Sequence, residues 1–394
     1  MSQDLNSTPR SNRLHIAFYG RRNSGKSSLL NSLVGQEVSI VSPVAGTTTD
    51  PVQKSIEING LGPCVFIDTA GFDDIDSLGD LRVKKTKEVL EKTDIALLLF
   101  SETDIEKELL WWRTFKEKNI PCLAVISKGD LIPDLPKLVT LLKEKLSVDP
   151  VVTSATKKTG LEELKEELLK ALPDEYEKTS IVGSLAAEKD LVLCVMPQNI
   201  QAPKGRLILA QVQTIRDLLD KKCIVVCVTT DLLKDALNSL KEPPHLIITD
   251  SQAFKEVSLL KPKESILTSF SILFAAYKGD IEYYKAGVAV LDSLTQQDRV
   301  LIAECCTHAP LSEDIGREKI PALLRKKIGA DLAIDIVSGN DYPQDLTQYA
   351  LIIQCGGCMF TRRHILARID RAKDQRVPMT NYGLALAHLL GLQN

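Results

Sequence analysis

The hydrophobic positions of this chain fall into short continuous runs that alternate with longer amphipathic stretches. Near the N-terminus, "LHIAFYG" is followed by "SGKSSLLNSLV", and "CVFIDTAG" and "CLAVISKGD" supply further apolar runs. Runs of this length without polar interruption are typical of parallel strands buried on both faces, and the amphipathic stretches between them predict helices. The pattern therefore predicts an α/β protein built on parallel sheets.

The same alternation continues beyond "LPDEYEKTS", a polar, proline-containing segment that we interpret as a linker. "DLVLCVMP", "KKCIVVCVTT" and "PHLIITDS" predict three strands, with "GRLILAQVQTIRDLLD" as a helix between them. "DRVLIAEC", "ADLAIDIVSG" and "QYALIIQC" predict three more strands, preceded by one helical stretch, "ILFAAYKGDIEYYKAGVAVLDSL". We therefore expect a flexible tail at residues 1–12, followed by domains at 13–172, 178–262 and 263–394.

A phosphate-binding motif lies between the first apolar run and the first helix. Its spacing, G-x4-G-K-S, occurs in the strand–loop–helix context that a P-loop requires. Glycines let backbone N–H groups surround phosphate, and the start of a helix adds partial positive charge. The lysine neutralises the β- and γ-phosphates, and the serine ligates Mg²⁺. The predicted nucleotide contacts of this loop are Gly20, Asn23, Ser24, Gly25, Lys26, Ser27 and Ser28.

Two further motifs predict the hydrolytic machinery. "VFIDTAG" ends in Asp68 and Gly71, which predict a carboxylate near the Mg²⁺ ion and an N–H near the γ-phosphate. Upstream of it, "AGTTTD" offers Thr48 as another Mg²⁺ ligand. Together with Lys26 and Ser27, these residues form the predicted catalytic set.

The last two motifs of the front region predict recognition of guanine. Lys128 and Asp130 follow the strand in "CLAVISKGD"; the carboxylate accepts both N–H groups of a guanine edge, and the lysine stem covers the ring. In "VVTSATKKTG", the backbone of Ser154 and Ala155 is expected to reach the guanine oxygen. Five motifs in this order indicate a GTPase that uses GTP and Mg²⁺.

Residues 13–172 resemble the Era/TrmE-like GTPases, which act in tRNA modification and ribosome assembly. The resemblance implies that Asn23 holds a K⁺ ion that substitutes for an arginine finger. Phe72 stands after "DTAG", where Ras-like enzymes place a water-orienting glutamine, so we expect slow, potassium-stimulated hydrolysis. The sequence departs from the family at Ser127, where asparagine is usual, and the shorter side chain bears on guanine selectivity.

Composition narrows the classes of function. Of the 394 residues, 44% are hydrophobic and 26% are charged, and the formal net charge of −3 gives no general basic surface for nucleic acid. No apolar run reaches the roughly 18 residues of a membrane helix. "MSQDLNSTPRSN" at the N-terminus lacks the apolar centre of a secretory signal. We therefore expect a cytoplasmic protein that binds neither nucleic acid nor a membrane.

The nine cysteines divide into two groups. A reduced cysteine in an apolar strand behaves as a small hydrophobe, and this interpretation covers Cys64, Cys122, Cys194, Cys223 and Cys227. The other four, together with a histidine, cluster near the C-terminus: Cys305, Cys306, His308, Cys355 and Cys358.

The second group predicts a metal site. Cys306 and His308 follow one predicted strand, and Cys355 and Cys358 follow another, and ligands of open α/β sheets bind at the carboxyl ends of strands. A redox pair, a structural zinc site with all four as ligands, and an iron–sulfur cluster are the alternatives. For a cluster, three cysteines supply thiolates, and His308, another group or an exchangeable ligand completes the site. Cys305 should point to the opposite strand face and into the core.

A GTPase followed by a middle α/β domain and a terminal CxH…CxxC domain resembles the FeFe-hydrogenase maturation GTPases, the HydF family, over essentially the whole chain. The sequence has "CTH" and "CGGC", with 46 residues between His308 and Cys355. Gln354 stands where many members carry histidine. The resemblance implies a P-loop GTPase domain followed by two further parallel-sheet α/β units. The first of these would be a dimerisation domain, and the last would bind a metal cluster.

The resemblance also implies a function. The expected protein is a homodimeric scaffold that carries a 4Fe–4S cluster and a transient di-iron precursor, which it delivers to apo FeFe-hydrogenase. The radical-SAM maturases are its other expected partners. The alternative from a different class is an RNA- or ribosome-associated GTPase with a structural zinc domain, which the net charge disfavours.

Overall fold

The computed structural model divides the chain into a first unit, Met1–Lys178, and a second unit, Thr179–Asn394, each of which is described by itself. The predicted linker falls largely outside the described residues. The structure describes residues 13–34, 40–44, 52–58, 62–69, 71, 86, 88–172, 180–198, 207–305, 315–339 and 341–392, with backbone only at 40–44, 52–58 and 62.

Seven described strands form the sheet of the first unit. They are β1 (Leu14–Tyr19), β2 (Ile40–Val44), β3 (Val52–Ile58), β4 (Gly62–Asp68), β5 (Ile95–Phe100), β6 (Cys122–Ile126) and β7 (Val151–Val152). Their order is β2-β3-β4-β1-β5-β6-β7, in which β1 pairs in parallel with both β4 and β5. Only the pairs β2–β3 and β3–β4 are antiparallel, at one edge of the sheet.

Helices pack on both faces of this sheet: α1 (Lys26–Val34), α2 (Glu106–Glu117), α3 (Leu135–Leu146) and α4 (Leu161–Lys170). Ile16 and Phe18 of β1 join one buried cluster with leucines of α1 and α4. Ala17 and Tyr19 join the other cluster, with residues of α2 and α3. Both faces of β1 are covered, and apart from His15 its residues are apolar or aromatic, as expected for a central parallel strand.

Four described strands form the first sheet of the second unit, in the order β11-β10-β8-β9, all parallel. The strands are β8 (Leu191–Val195), β9 (Ile224–Val228), β10 (Leu246–Thr249) and β11 (Ile266–Ser269). The helices that follow them are α5 (Leu209–Asp220), α6 (Leu233–Ser239), α7 (Phe254–Leu260) and α8 (Phe270–Lys278).

Four further strands form the second sheet, in the order β13-β12-β14-β15, and these are also parallel. They are β12 (Arg299–Ala303), β13 (Ala333–Val337), β14 (Leu351–Gln354) and β15 (Met379–Asn381). The helices of this region are α9 (Ile281–Val288), α10 (Ile320–Ile328), α11 (Arg362–Asp374) and α12 (Tyr382–Leu389). Single short turns of other helix types lie at Gly183–Leu185, Thr230–Leu232, Ala289–Asp292 and Ile315–Lys319. Three parallel-sheet α/β units therefore confirm the predicted fold class.

The helical stretch expected before β12 is not one helix. It is interrupted between α8 and α9, where Gly279 ends the first helix and the carboxylate of Asp280 accepts a hydrogen bond from the N–H of Tyr283. A side chain at position 279 would meet the ring of Tyr284, with Cβ 2.6 Å from Cε2. An N-cap aspartate stabilises a new helix start, so the chain turns here and α8 and α9 are separate.

Several described strands were not predicted: β2, β3, β5 and β7 in the first unit, and β11 and β15 in the second. The change from one sheet to the other falls after β11, because Ile266–Ser269 pairs with β10 of the first sheet. The domain boundaries given above remain predictions. Within the described part of the chain, no helix combines the length and the apolar character needed to cross a membrane.

The expected core cysteines are not all buried. Cys64, Cys194 and Cys223 are buried and Cys122 is partly buried, but Cys227 is exposed. Cys227 lies on β9, at the edge of its sheet. An apolar run predicts a strand, but it does not distinguish a central strand from an edge strand whose second face is open.

The packing of α9 against β15 generates a stability prediction. A Cβ at Gly287 would lie 2.0 Å from the carbonyl oxygen of Met379, so alanine cannot enter without moving the helix away from the sheet. Gly287→Ala should lower the free energy of unfolding by about 1–3 kcal/mol, the usual cost of overpacking. Urea unfolding followed by circular dichroism measures the change. Ala286→Ser, at an exposed position of the same helix, is the control and should change it by less than about 0.5 kcal/mol. Equal midpoints for the two variants would contradict the close packing.

Candidate functional site

The phosphate loop joins β1 to α1 and encloses the predicted lysine. Lys26 is the first residue of α1 and is 7% exposed, and its Nζ donates to the carbonyl oxygens of Gly20 (2.9 Å) and Arg21 (2.7 Å). Asn23 and Gly25 have φ values of 60° and 90°, so the loop curls through the left-handed region. An ammonium group at the start of a helix favours binding of an anionic phosphate.

The predicted Mg²⁺ ligands Ser27 and Asp68 are brought together by strand pairing. Asp68 ends β4, opposite Phe18 of β1, immediately before the phosphate loop begins. The hydroxyl of Ser27 donates to the Asp68 carboxylate at 2.5 Å. A hydroxyl and a carboxylate are oxygen donors of the type that Mg²⁺ prefers. Thr48, the third predicted ligand, lies outside the described residues.

Gly71 lies directly against the phosphate loop. A Cβ at this position would be 2.6 Å from the backbone nitrogen of Arg22 and 2.9 Å from its Cα. Only glycine allows this approach, which brings the segment after Asp68 to the place where the γ-phosphate is expected. Phe72, which stands in the place of a water-orienting glutamine, is outside the described residues.

Two of the predicted guanine-binding segments contact the start of this unit: Lys128 binds the phosphate loop, and Ala155 binds α1. The Nζ of Lys128 donates to the carbonyl oxygen of Asn23 at 2.6 Å, and its stem passes over Gly25. Ser32 of α1 donates to the carbonyl oxygen of Ala155 at 3.0 Å. Asp130 is exposed at the end of the loop that follows β6. The guanine contacts of these residues remain predictions.

Ser127 has a role that the motif did not indicate. The side chain is 2% exposed, and its hydroxyl donates inward to the carbonyl oxygen of Ser24 at 2.5 Å, with that of Phe100 at 3.3 Å. The hydroxyl therefore ties the end of β6 to the phosphate loop. Because its single proton is donated to backbone carbonyls, the Ser127 hydroxyl does not donate to a nucleotide in this arrangement.

Arg21 is a residue that the motif analysis passed over. Its guanidinium binds three acidic side chains in or just before α2: Glu108 (2.8 Å), Glu102 (2.7 Å) and Asp104 (3.1 Å). Glu108 is 2% exposed, and burial raises the pKa of its carboxyl, although the hydrogen bond from Arg21 opposes this. This cluster fixes the phosphate loop to α2. The partners are more than 80 positions away, so no local pattern could have indicated them.

The cysteine loop begins where β14 ends beside β12. The N–H of Cys355 donates to the carbonyl oxygen of Ala303 at 2.9 Å, and the N–H of Cys305 points to the sulfur of Cys355 at 3.1 Å. The two carboxyl ends therefore meet at one sheet edge, as predicted. Cys305 is buried, as expected, yet it is also a neighbour of Cys355. Their hydrogen bond lowers the pKa of the Cys355 thiol, while burial raises it.

One of the two glycines between Cys355 and Cys358 is required for a steric reason. Gly357 has a φ of 66°, and a Cβ there would lie 2.7 Å from Cδ1 of Ile365. A larger residue would be strained in backbone and in contact with α11. The loop can therefore turn tightly over the helix only with glycine at position 357.

Two buried cations border the same loop. Lys278, the last residue of α8, donates from Nζ to the carbonyl oxygens of Gly357 (3.2 Å), Cys358 (3.3 Å) and Phe360 (2.7 Å). Arg368 of α11 donates to the side-chain oxygen of Gln354 at 3.1 Å. Sequence reasoning missed both, because a lysine or arginine in a helix ordinarily indicates a solvated face.

Gln354, the last residue of β14 and the neighbour of Cys355, is fully buried. Its Nε2 donates to the sulfur of Cys305 (3.1 Å) and to the carbonyl oxygen of Ala303 (3.2 Å), and its oxygen accepts from Arg368. The residues that it contacts, Ala303, Cys305 and Arg368, are themselves buried. Gln354 therefore orders the neighbourhood of the thiols from within the core.

The structure describes only two of the four predicted metal ligands. Cys306 and His308 lie outside the described residues, and within the described ranges no group of three or more His, Cys, Asp and Glu side chains is arranged to hold a metal ion. Of the four predicted donors, the structure describes Cys355 and Cys358, and both are partly buried. Thiols beside buried positive charge suit a soft, anionic group, so the described residues fit an iron–sulfur cluster in donor type and in charge.

Three family models match successive parts of the chain. Residues 15–128 match the model of the 50S ribosome-binding GTPase. Residues 181–279 match the hydrogen maturase F dimerization domain, and residues 282–394 match the hydrogen maturase F tetramerization domain. The two maturase models together cover more than half of the chain. These two models support oligomerization, and tetramerization was not predicted.

Similar proteins share the front region. The tRNA modification GTPase MnmE of Flavobacterium johnsoniae is 36% identical over 170 residues, which is 40% of this chain and 35% of MnmE. GTPase Era of Aquifex aeolicus is 34% identical over 171 residues, covering 41% of this chain and 57% of Era. This chain thus spans about a third to just over half of the length of these relatives.

Among solved structures, Era in complex with MgGDPNP and part of 16S ribosomal RNA covers 55% of this chain and 92% of its own, with a TM-score of 0.35 and 21% identity. The FeoB G-domain of Methanococcus jannaschii covers 40% of this chain and 97% of its own, with a TM-score of 0.31 and 26% identity. These scores are low, so the assignment rests on the family models. A GTPase domain precedes both maturase domains in one polypeptide, and the chain therefore belongs to the hydrogen maturase F (HydF) family.

Proposed function

We propose that this protein is a GTP-hydrolysing scaffold that binds a 4Fe–4S cluster, assembles the di-iron subcluster precursor and transfers it to apo FeFe-hydrogenase. The observation that carries the proposal is the position of the Cys355–Cys358 loop. It lies at the carboxyl edge of the sheet in the second maturase domain, bordered by two buried cations. Apo FeFe-hydrogenase and the radical-SAM maturases are the proposed partners of a homo-oligomer.

The nucleotide site acts through charge and position. Lys26 neutralises the phosphates, and Ser27, Asp68 and Thr48 supply oxygen ligands to Mg²⁺. The N–H of Gly71 faces the γ-phosphate, and Asn23 contributes to a K⁺ site in the phosphate loop. Because no glutamine follows Gly71 to orient water, hydrolysis is slow without K⁺ and faster with it.

The cluster site uses Cys306, Cys355 and Cys358 as thiolate ligands. His308, another group or an exchangeable ligand takes the remaining position. A bound cluster with three thiolates supplies an iron that can accept a further ligand. Gln354 donates and accepts only within the core, so it orders the site without binding metal.

Anaerobic reconstitution tests the cluster against the alternative, a structural zinc domain on an RNA-associated GTPase. The purified chain is incubated with iron and sulfide or with zinc, and the bound metal and sulfide are measured with the visible absorption spectrum. Stoichiometric iron and sulfide with absorption that bleaches on reduction supports the proposal. Tight zinc binding without iron uptake contradicts it.

The first prediction concerns Lys26. Lys26→Ala removes the ammonium that neutralises the phosphates, so GTP hydrolysis should fall at least about 100-fold, the scale on which removal of one electrostatic group acts. Phosphate release measures the rate. Cluster loading should stay at the wild-type level, because the two sites lie in different units. Unchanged turnover would remove the phosphate-loop assignment.

The second prediction concerns the thiols. Cys355→Ser replaces a soft thiolate by a hard, protonated hydroxyl, so iron and sulfide content after reconstitution should fall to near background. Cys223→Ser is the matched control: that buried thiol donates to the carbonyl oxygen of Ala187 at 3.2 Å, a bond that serine also makes. The control should load normally. A Cys355→Ser protein with full cluster content would show that Cys355 is no ligand.

A further inference from the structure

Lys278 and Arg368 are two buried cations beside the cysteine loop. Each side chain is 1% exposed. Within the described part of the chain, the hydrogen-bond partners of Lys278 are backbone carbonyls, and those of Arg368 are carbonyls, an amide oxygen and a sulfur. Neither forms an ion pair with a carboxylate there.

Burial of an ammonium without an opposite charge is unfavourable. Arginine and lysine are almost never fully buried unless they are paired. Two such residues at one sheet edge therefore indicate that negative charge is expected nearby.

Lys278 holds the loop that carries the predicted ligands. Its three carbonyl partners belong to residues 357, 358 and 360, so the ammonium lies on the inner side of the loop.

Arg368 reaches the thiol of Cys305 from a different helix. Its Nη1 lies 3.9 Å from the sulfur of Cys305, and the guanidinium carbon lies 4.6 Å from the ring centre of Tyr342 and 4.7 Å from that of Phe360. Aromatic faces hold the guanidinium in place without neutralising its charge. The position of this positive charge is therefore set by packing.

We propose that Lys278 and Arg368 are positioning residues that bind and tune an anionic, thiolate-ligated cluster through their positive charge. The inference deepens the proposed function and rests on it. A cluster held by thiolates has net negative charge, and reduction adds one more negative charge. The two cations therefore stabilise the reduced state more than the oxidised state, since the attraction grows with charge.

The test is the reduction potential of the reconstituted cluster, measured by a redox titration with electron paramagnetic resonance. Lys278→Met and Arg368→Met each remove one charge and keep an apolar stem, so both should shift the potential to more negative values. Both should also release iron to a chelator several-fold faster than the wild type. Arg368→Lys preserves the charge and loses the guanidinium fork, so its potential should stay close to that of the wild type. Lys285→Met is the control, because Lys285 is an exposed cation paired with Glu282 at 2.8 Å.

The outcomes separate this inference from the proposed function. A normal wild-type cluster whose potential is unchanged in both methionine variants overturns the inference alone. An Arg368→Lys shift as large as that of Arg368→Met does the same for Arg368, because geometry and not charge would then be responsible. If the wild type takes up no iron and sulfide, the proposed function fails and the inference fails with it. Should Lys278→Met not fold, the three-way comparison at Arg368 decides.

Discussion

Parallel pairing of neighbouring strands is the constraint on which both candidate sites depend. Parallel strands end at the same sheet edge, so residues that follow two of them in the chain become neighbours in space. In the first unit, pairing of β1 with β4 brings Asp68 to Ser27. In the second unit, pairing of β12 with β14 brings Cys305 to Cys355. Neither contact exists without the ladder of backbone hydrogen bonds behind it.

The cysteine loop shows how a site of soft ligands is built from ordinary packing. Glycine at position 357 lets the loop turn over α11. The ammonium of Lys278 donates to three backbone carbonyls of the loop. Buried polar groups of this kind cost stability unless they are satisfied. Here the backbone carbonyls, Gln354 and Arg368 satisfy one another, and the sulfurs of Cys305 and Cys355 stay within the same network. These hydrogen bonds hold the loop in place. Because the partners are neutral, the positive charges of Lys278 and Arg368 are not cancelled.

The nucleotide side uses the same device with different chemistry. Ser127 and Lys128 both bind back to carbonyls of the phosphate loop, at Ser24 and Asn23. Arg21 anchors the other side of that loop to the acidic residues beside α2. The loop is therefore held from two directions, which limits the reorganisation needed when an anionic ligand binds. The family comparison extends this view, since the GTPase domain is joined to two domains that mediate assembly.

The sequence by itself determined what local chemistry can express. Continuous apolar runs indicated buried parallel strands, and the spacing of Gly20, Gly25 and Lys26 indicated the phosphate loop, because these signals depend on residues close in the chain. Tertiary structure alone decided the break between α8 and α9, the exposure of Cys227 and the partners of Arg21 and Lys278. Each of these depends on what packs against the residue from a distant part of the chain. Burial and long-range hydrogen bonds are set by the assembled sheet, and no periodicity in the sequence records them.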